Sequence, residues 1–333
     1  MFQKYLITAD CREKFDNEVN GASLNIYNDH PSQNSIDQIV YELNKEGYKV
    51  SYFGGVDALI DAYNKHQQFP NSLFLNFSDG LTQKSRKAQS AILLEMLNVE
   101  YAGSSALSML IANNKYYAKK IVSEKILVAD GILLFSSDEI PDNLKYPIVI
   151  KPNDEGSSIG ITQESICHNS MEFYQRLPKW FNKFNVVIVE EYIPGYELTC
   201  FLIGNKGNYS LSEVILCEYN GFTYFDDFVF GITEKASHTR QEHLAEHYLP
   251  QKQINNIINT AKNAFELLGM CDFARIDFRL DKSGKLTFIE INGNPVISQT
   301  SEIGIISNER NISFGKLVEK IIITAEKRIS SRD

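Results

Sequence analysis

Near the end of the chain, three side chains have the types and spacing of a divalent-cation site. In the segment FARIDFRLDKSGKLTFIEINGNP, Arg275, Asp277 and Arg279 alternate with Ala274, Ile276 and Phe278. A strand repeats every second residue, so the three polar groups share one face. The Asp-Lys-Ser-Gly stretch at 281–284 turns the chain back as a hairpin. On the return strand, Glu290 and Asn292 alternate with Ile289 and Ile291. Pairing the two strands gathers Asp277, Glu290 and Asn292 around one point. All three are hard oxygen donors, suited to magnesium bridging nucleotide phosphates. Arg275 lies on the same face, where it would neutralise a transferring phosphoryl group or a tetrahedral intermediate. The plain alternative is a solvated strand face with cross-strand ion pairs. The almost unbroken apolar partners argue for a site.

A second segment, YPIVIKPNDEGSSIGIT, puts Lys151 at the end of an apolar strand and follows it with a short loop rich in Gly, Ser, Asn and Asp. Gly156 and Gly160 let backbone approach an anion without a Cβ in the way. Successive N–H groups of Gly156, Ser157 and Ser158 form a nest for phosphate oxygens, and Lys151 adds a point charge. The loop is not GxxxxGK[ST], and an ordinary hairpin turn is the competing reading. A third segment, NVVIVEEYIPGYELT, ends an apolar strand in Glu190 and Glu191. Two adjacent carboxylates are costly to bury together. A hinge here offers its backbone and the Glu190 carboxylate to an adenine, and Glu197 to ribose hydroxyls; an exposed charged turn is the alternative.

One motif is set aside. His243, Glu246 and His247 fit H-x-x-E-H, a zinc-hydrolase pattern. They sit in the polar stretch TRQEHLAEHYLP, which gives a helix little apolar support, so chance explains the match better.

These groups need a scaffold, and the chain supplies a two-part pattern. Over the first hundred residues apolar strands (4–8, 48–53, 72–77, 99–103) alternate with amphipathic helices (35–46, 57–65, 85–97). The polar, Asn-rich stretch at 16–34 reads as loop. Such alternation implies a parallel, Rossmann-like sheet. A single long helix is expected over 106–122. Short β-rich segments follow at 132–137, 146–152, 160–163, 185–193, 196–204 and 209–219, the signature of an antiparallel α+β region. A helix over 251–269, the 273–292 hairpin and a last helix over 314–328 complete the chain. The natural divisions fall near 102 and 186, giving subdomains 1–102, 103–186 and 187–333.

Bulk properties narrow the class. The 333 residues exceed one ordinary core. A net charge of -9 argues against a nucleic-acid groove. Five scattered cysteines without a CxxC pair fit a reducing cytosol and argue against a disulfide framework or zinc knot. The start MFQKYLITAD reads as a first strand and not a signal peptide. No apolar run reaches membrane-spanning length, so no membrane partner is expected.

In this order, the residues resemble the ATP-grasp superfamily, and within it the D-alanine–D-alanine ligase group, over about 99–305. The resemblance implies three subdomains: a Rossmann-like one, a small central one and a C-terminal antiparallel one, with ATP between the last two. It implies an ATP-dependent carbon–nitrogen ligase that phosphorylates a carboxylate and lets an amine attack the acyl phosphate. Carried over residue by residue, Lys115 and Lys151 contact nucleotide phosphates. Glu155, Gly156, Ser157 and Ser158 cover them, and Ser157 also belongs to the reacting centre. Glu190 and Ile193 form the adenine hinge, and Glu197 accepts from ribose. Asp277, Glu290 and Asn292 hold Mg2+, two ions in the family pattern, with Mn2+ as a possible substitute. Arg275 and the Val296 N–H stabilise the oxyanion, and Ser301 receives the acceptor's carboxylate. The implied partners are a small carboxylate and a small amine, with a homodimer through the N-terminal subdomain.

Departures cluster where substrates bind. The family's His-Gly…Gly-Glu-Asp-Gly stretch becomes FSDGLTQKSRKAQ, which keeps only Asp79 and Gly80. Its first-amine glutamate is echoed only by Glu18-Val19. An active-site Lys-Tyr pair gives way to Phe230-Gly231, with Lys235 as a substitute. Asn-x-x-Pro-Gly-Met becomes Asn292-Gly-Asn-Pro-Val296-Ile. An apolar residue after the serine becomes Glu302, which, facing the pocket, would suit an amine-bearing acceptor. The expectation is therefore retained chemistry on altered substrates. An orthodox D-alanine–D-alanine ligase is the alternative, and a non-catalytic nucleotide-binding module is the alternative of another class.

Overall fold

The computed structural model describes residues 2–15, 29–81, 85–137 and 144–331. The first unit runs β1 (Lys4–Thr8), α1 (Gln33–Lys45), β2 (Val50–Gly54), α2 (Val56–Asn64), β3 (Ser72–Asn76), α3 (Arg86–Met96) and β4 (Glu100–Ala102). Its sheet has the order β2-β1-β3-β4 and every pairing is parallel, as strand–helix alternation requires. In α1, Ile36, Ile39 and Leu43 are buried, and the Ser32 side chain caps the helix by accepting from the Ser35 N–H. Glu18 and Val19, and most of the 16–34 stretch read as loop, lie outside the described residues.

The next elements are α4 (Ala106–Asn113), α5 (Lys115–Val122), β5 (Gly131–Leu134), β6 (Ile148–Pro152), β7 (Ile166–Cys167), α6 (Ser170–Phe181) and β8 (Val187–Glu191). The single helix expected over 106–122 is broken. Asn114 takes φ -92° and ψ 100°, ends α4, and accepts from the Tyr117 N–H as the N-cap of α5. The break is stabilised from outside: Lys115 N–H donates to Asn153 O and Tyr116 N–H to Asn153 Oδ1, both at 3.0 Å. Lys115 thereby starts a helix beside the phosphate loop. The segment 160–163 is loop and not strand. Strand β8 lies beyond the division expected at 186, yet it pairs with β5 and β6 in an antiparallel sheet of order β5-β8-β6-β7. Helix α6 was not foreseen. Phe173, Leu177 and Trp180 form its buried face, Asn169 caps it, and Pro178 sits near its end. Trp180 Nε1 donates to Gly160 O at 3.2 Å, fastening the helix to the end of the phosphate loop.

The last unit holds β9 (Gly195–Asn205), β10 (Asn208–Tyr219), β11 (Tyr224–Phe225), α7 (Ile232–Lys235), β12 (Arg240–Leu244), α8 (Gln251–Leu267), β13 (Phe273–Leu280), β14 (Leu286–Asn292), α9 (Glu302–Arg310) and α10 (Phe314–Ser330). Its sheet runs β12-β10-β9-β13-β14 and is antiparallel, with β11 added to β9. One face packs on α8 through Ile257, Ala261 and Phe265. The other shares a core with the first unit, where Ile7, Ile39, Phe201, Phe273, Leu317 and Ile321 meet. Burying one such large side chain is worth ~1.5–3 kcal/mol. Arg328 on α10 fixes the same junction: it bonds Asp272 and, at 2.7 Å, Tyr101 O, while the Gly103 N–H donates to Asp272 at 2.9 Å. Among the described residues no helix is long and apolar enough to cross a membrane.

Candidate active site

The hairpin forms as its alternation demands, with Asp277 directly opposite Glu290 and Arg275 opposite Asn292. One detail departs from strict alternation. The register slips after Asp277, so Phe278 faces Phe288 and Ile289 is extra. This bulge turns Ile289 toward the same cleft as Glu290, where period 2 would have put it on the other face.

Two clefts meet at these carboxylates. The larger is walled by Lys115, Lys151, Glu155, Gly156, Ser158, the hinge 190–193 and Glu197, with Lys235, Asp277, Arg279 and Glu290 at its floor. The smaller shares Lys115, Glu155, Gly156 and Glu290 with it and adds Ser157, Arg275, Asn292, Asp29 and Lys87. Most residues singled out by sequence therefore converge. The phosphate loop separates the two clefts. Ser157 and Ser158 have φ of 50° and 59°, both left-handed, at a cost of ~1–2 kcal/mol per residue. The Ile159 N–H donates to Gly156 O at 3.0 Å across this pair, so the loop is a tight turn with its tip at the junction of the two clefts.

The electrostatics are dense. Lys115 lies 3.3 Å from Glu290 and donates to Glu155 O. Burial opposes ionisation of Glu290, but Lys115, Lys235 and Arg275 outweigh it and pull its pKa down to about 2. Burial pushes Asp277 up, and Glu290 adds to the rise against the pull of Arg275. Thr199 Oγ1 donates to Asp277 Oδ1 and Arg275 Nη2 to Asp277 Oδ2, each at 3.0 Å. Desolvating paired charges costs several kcal/mol per ion, and apolar packing would stabilise the fold equally well, so these charges need a reason other than stability. Two facing carboxylates beside an amide oxygen are an all-oxygen donor set that fits a divalent cation.

Several expectations are corrected. The Glu190 carboxylate does not face an adenine. It is 2% exposed and bonded by Lys119 and Lys151, so only the hinge backbone remains for a base. Burial lowers Lys119 to about 8 even with Glu190 beside it. Glu197 pairs with Arg279, a cleft residue the sequence reading left without a role. Val296 lines neither cleft; with Asp29, Asp79 and Asn294 it lines a separate small recess. Ser301 Oγ is turned to its own turn, donating to Ser298 O and accepting from the Ser298 N–H. Glu302 is 8% exposed and accepts from Arg275 Nη1 at 3.0 Å. Lys235 does reach the cleft beside Asp277 and Glu290.

A further cluster went unforeseen. Asp29 and Lys87 are buried and line the smaller cleft, and Arg86 is buried beside Asp29. Arg86 bonds Asp29 at 2.6 Å, and Lys87 bridges Asp29 and Asp79. Asn294 adds a bond to Asp79 at 3.0 Å. Asp29, His30 and Asp79 lie close enough to chelate a metal, but the Lys87 ammonium already occupies the space between the carboxylates. These partners lie 57 residues apart in sequence, so only the SRK run at 85–87 could have signalled them. The set-aside H-x-x-E-H residues do not converge: Glu246 bonds Arg310 at 2.7 Å, and His243 lies on β12 with His247 in the turn after it.

The family described as D-ala D-ala ligase C-terminus matches residues 134–323. The chain belongs to the D-alanine–D-alanine ligase family. That family comprises ATP-dependent carbon–nitrogen ligases of the ATP-grasp fold. The chain is 30% identical over 241 residues to a D-alanine–D-alanine ligase of Syntrophotalea carbinolica, covering 71% of this chain and 73% of the relative. It is 28% identical over 294 residues to that of Thermotoga petrophila, covering 88% and 92%. In fold it is similar to the D-alanine–D-alanine ligase of Bacillus anthracis, with TM-score 0.72, 22% identity and full coverage of both chains. It is similar also to the VanG D-Ala:D-Ser ligase of Enterococcus faecalis, with TM-score 0.72, 18% identity and coverage of 98% and 100%.

Proposed function

We propose that the chain uses ATP to activate the carboxylate of one amino acid and join it to the amine of a second, with D-alanine the first substrate to test in both places. The observation behind this reading is that the two clefts meet at Lys115, Gly156 and Glu290. A nucleotide in the larger cleft would thus point its terminal phosphate into the smaller one, where a carboxylate can be held. Asp277, Glu290 and Asn292 would hold Mg2+, which supplies charge neutralisation at the phosphates. Lys115 and Lys151 would steady the phosphates, and Gly156, Ser157 and Ser158 would cover them and exclude water. Glu155 belongs to the same cover. Ile193 and the hinge backbone would take the adenine and Glu197 the ribose. Arg275 would face the oxyanion formed when the amine attacks.

The relatives' names favour D-alanine at both positions. The buried Lys87 cluster and the Glu302–Arg275 contact favour the second reading, the same chemistry on a different amino acid. Phosphate release measured over a panel of D- and L-amino acids tests both. Strong turnover with D-alanine alone supports the first reading and sinks the second. ATP binding without turnover on any pair, unchanged by Arg275→Ala, would sink both and leave a nucleotide-binding module. Under this reading the partners are small molecules. The division into three subdomains, a dimer through the first unit and a cytosolic setting remain part of the proposal.

A further inference from the structure

Arg275 is shared between two carboxylates that compete for it. Its Nη2 donates to Asp277 Oδ2 and its Nη1 to Glu302 Oε1, each at 3.0 Å. Its Nε is buried and donates to no partner among the described residues. The guanidinium is therefore steered by these two acids. The other Asp277 oxygen is engaged by Thr199. A cation that approaches Asp277 must displace Arg275 from one oxygen or share the other with Thr199, and two positive charges on one carboxylate repel.

Glu302 gives the displaced guanidinium somewhere to stay. It is the first residue of α9, where the unpaired N–H groups of the first turn favour a carboxylate. It is almost fully buried, so its rotamer is held by packing. From the reading proposed above, which this step rests on, we infer that Glu302 is a positioning residue: it retains Arg275 at the edge of the smaller cleft while Asp277 is given over to a divalent cation. Arg275 then remains beside the reacting atoms. Without Glu302, its nearest ionic partners are Asp277 and Glu290, the two acids the cation needs. Glu302 thus acts through Arg275 and touches neither metal nor substrate.

Mn2+ is the probe, titrated into the protein alone and followed by the free-ion paramagnetic resonance signal. Asp277→Asn is expected to weaken binding about tenfold or more, as loss of a charged ligand should. Glu302→Leu is expected to weaken it about fivefold, the scale of coupling between side chains in contact. Glu302→Gln keeps the volume and one acceptor, so it should fall between wild type and Glu302→Leu. It also serves if the leucine variant folds poorly. In an Arg275→Met background, Glu302→Leu should change nothing further, because the residue it acts through is gone. Turnover should fall with Glu302→Leu while the KM for ATP holds. Three results overturn the inference: an unchanged Mn2+ affinity in Glu302→Leu, the same loss with and without Arg275, or a normal affinity in Asp277→Asn. The last would also overturn the metal assignment; the first two would leave it standing.

Discussion

The two clefts share one hairpin yet are built in opposite ways. Around the larger cleft, the charges not on the last sheet come from neighbouring elements of the central sheet and its flanking helix. Lys119, Lys151 and the buried Glu190 form one ionic triad there. Around the smaller cleft, Asp29, Arg86, Lys87, Arg275 and Glu302 arrive from α3, β13, α9 and the segment before α1. That triad depends only on β6, β8 and α5, so it forms wherever the central unit folds. The second depends on how separate units dock, so its residues can be exchanged without disturbing the sheet. The family match over 134–323 includes Lys151 and Glu190 of the first and Arg275 and Glu302 of the second, but not Asp29, Arg86 or Lys87.

The sharpest test of the shared hairpin is Asp277→Asn. Turnover should fall about 10²–10³-fold with little change in melting temperature; ADP release and thermal denaturation check it. Normal turnover would remove the hairpin from the mechanism. Next come two lysines that are equally buried. Lys119→Met and Lys87→Met each leave a buried carboxylate short of a partner and should cost about 3–5 kcal/mol in urea unfolding. Only the first should weaken ATP binding, and only the second should change which amino acids stimulate phosphate release. If Lys87→Met also weakens ATP binding, the two clefts are not separable.

The acid limb of stability follows from Glu190. Burial opposes its charge, but Lys119 and Lys151 bring its pKa from 4.5 down to about 2. A depressed carboxylate contributes stability above the unfolded value and loses it as pH falls through the folded one. Stability should thus drop between pH 4.5 and about 2, and Glu190→Gln should flatten that limb by up to one proton. Melting temperatures across that range decide it. The smallest effect is expected for Ser301→Ala, about 1 kcal/mol, from loss of its bonds to Ser298. A large rise in the acceptor's KM in that variant would return Ser301 to the substrate.

Elements set by local pattern were legible in the sequence. Strands β1 to β4, helix α8 and the β13–β14 hairpin fall where periodicity placed them. The turn after β6 was legible because Gly, Ser, Asn and Asp cluster there, while its role toward phosphate belongs to the proposal. The break between α4 and α5 was not, although Asn114 is a good N-cap, because the apolar spacing runs on through it. The decisive bonds come from Asn153, which no local window contains. The bulge at Ile289 was hidden for the reverse reason: alternation cannot reveal an extra residue. Glu190 and Glu302 were both read as facing a ligand, since only the fold shows which lysine or arginine lies beside a buried acid.

The bond from Trp180 to Gly160 O has a practical side. This is the chain's sole tryptophan, and its indole is joined to Gly160, just past the loop proposed to cover the phosphates. Any excursion of that cover should alter the indole's surroundings and hence its emission. Under the proposed function, the protein would carry its own optical gauge of when a nucleotide is enclosed, with no added label.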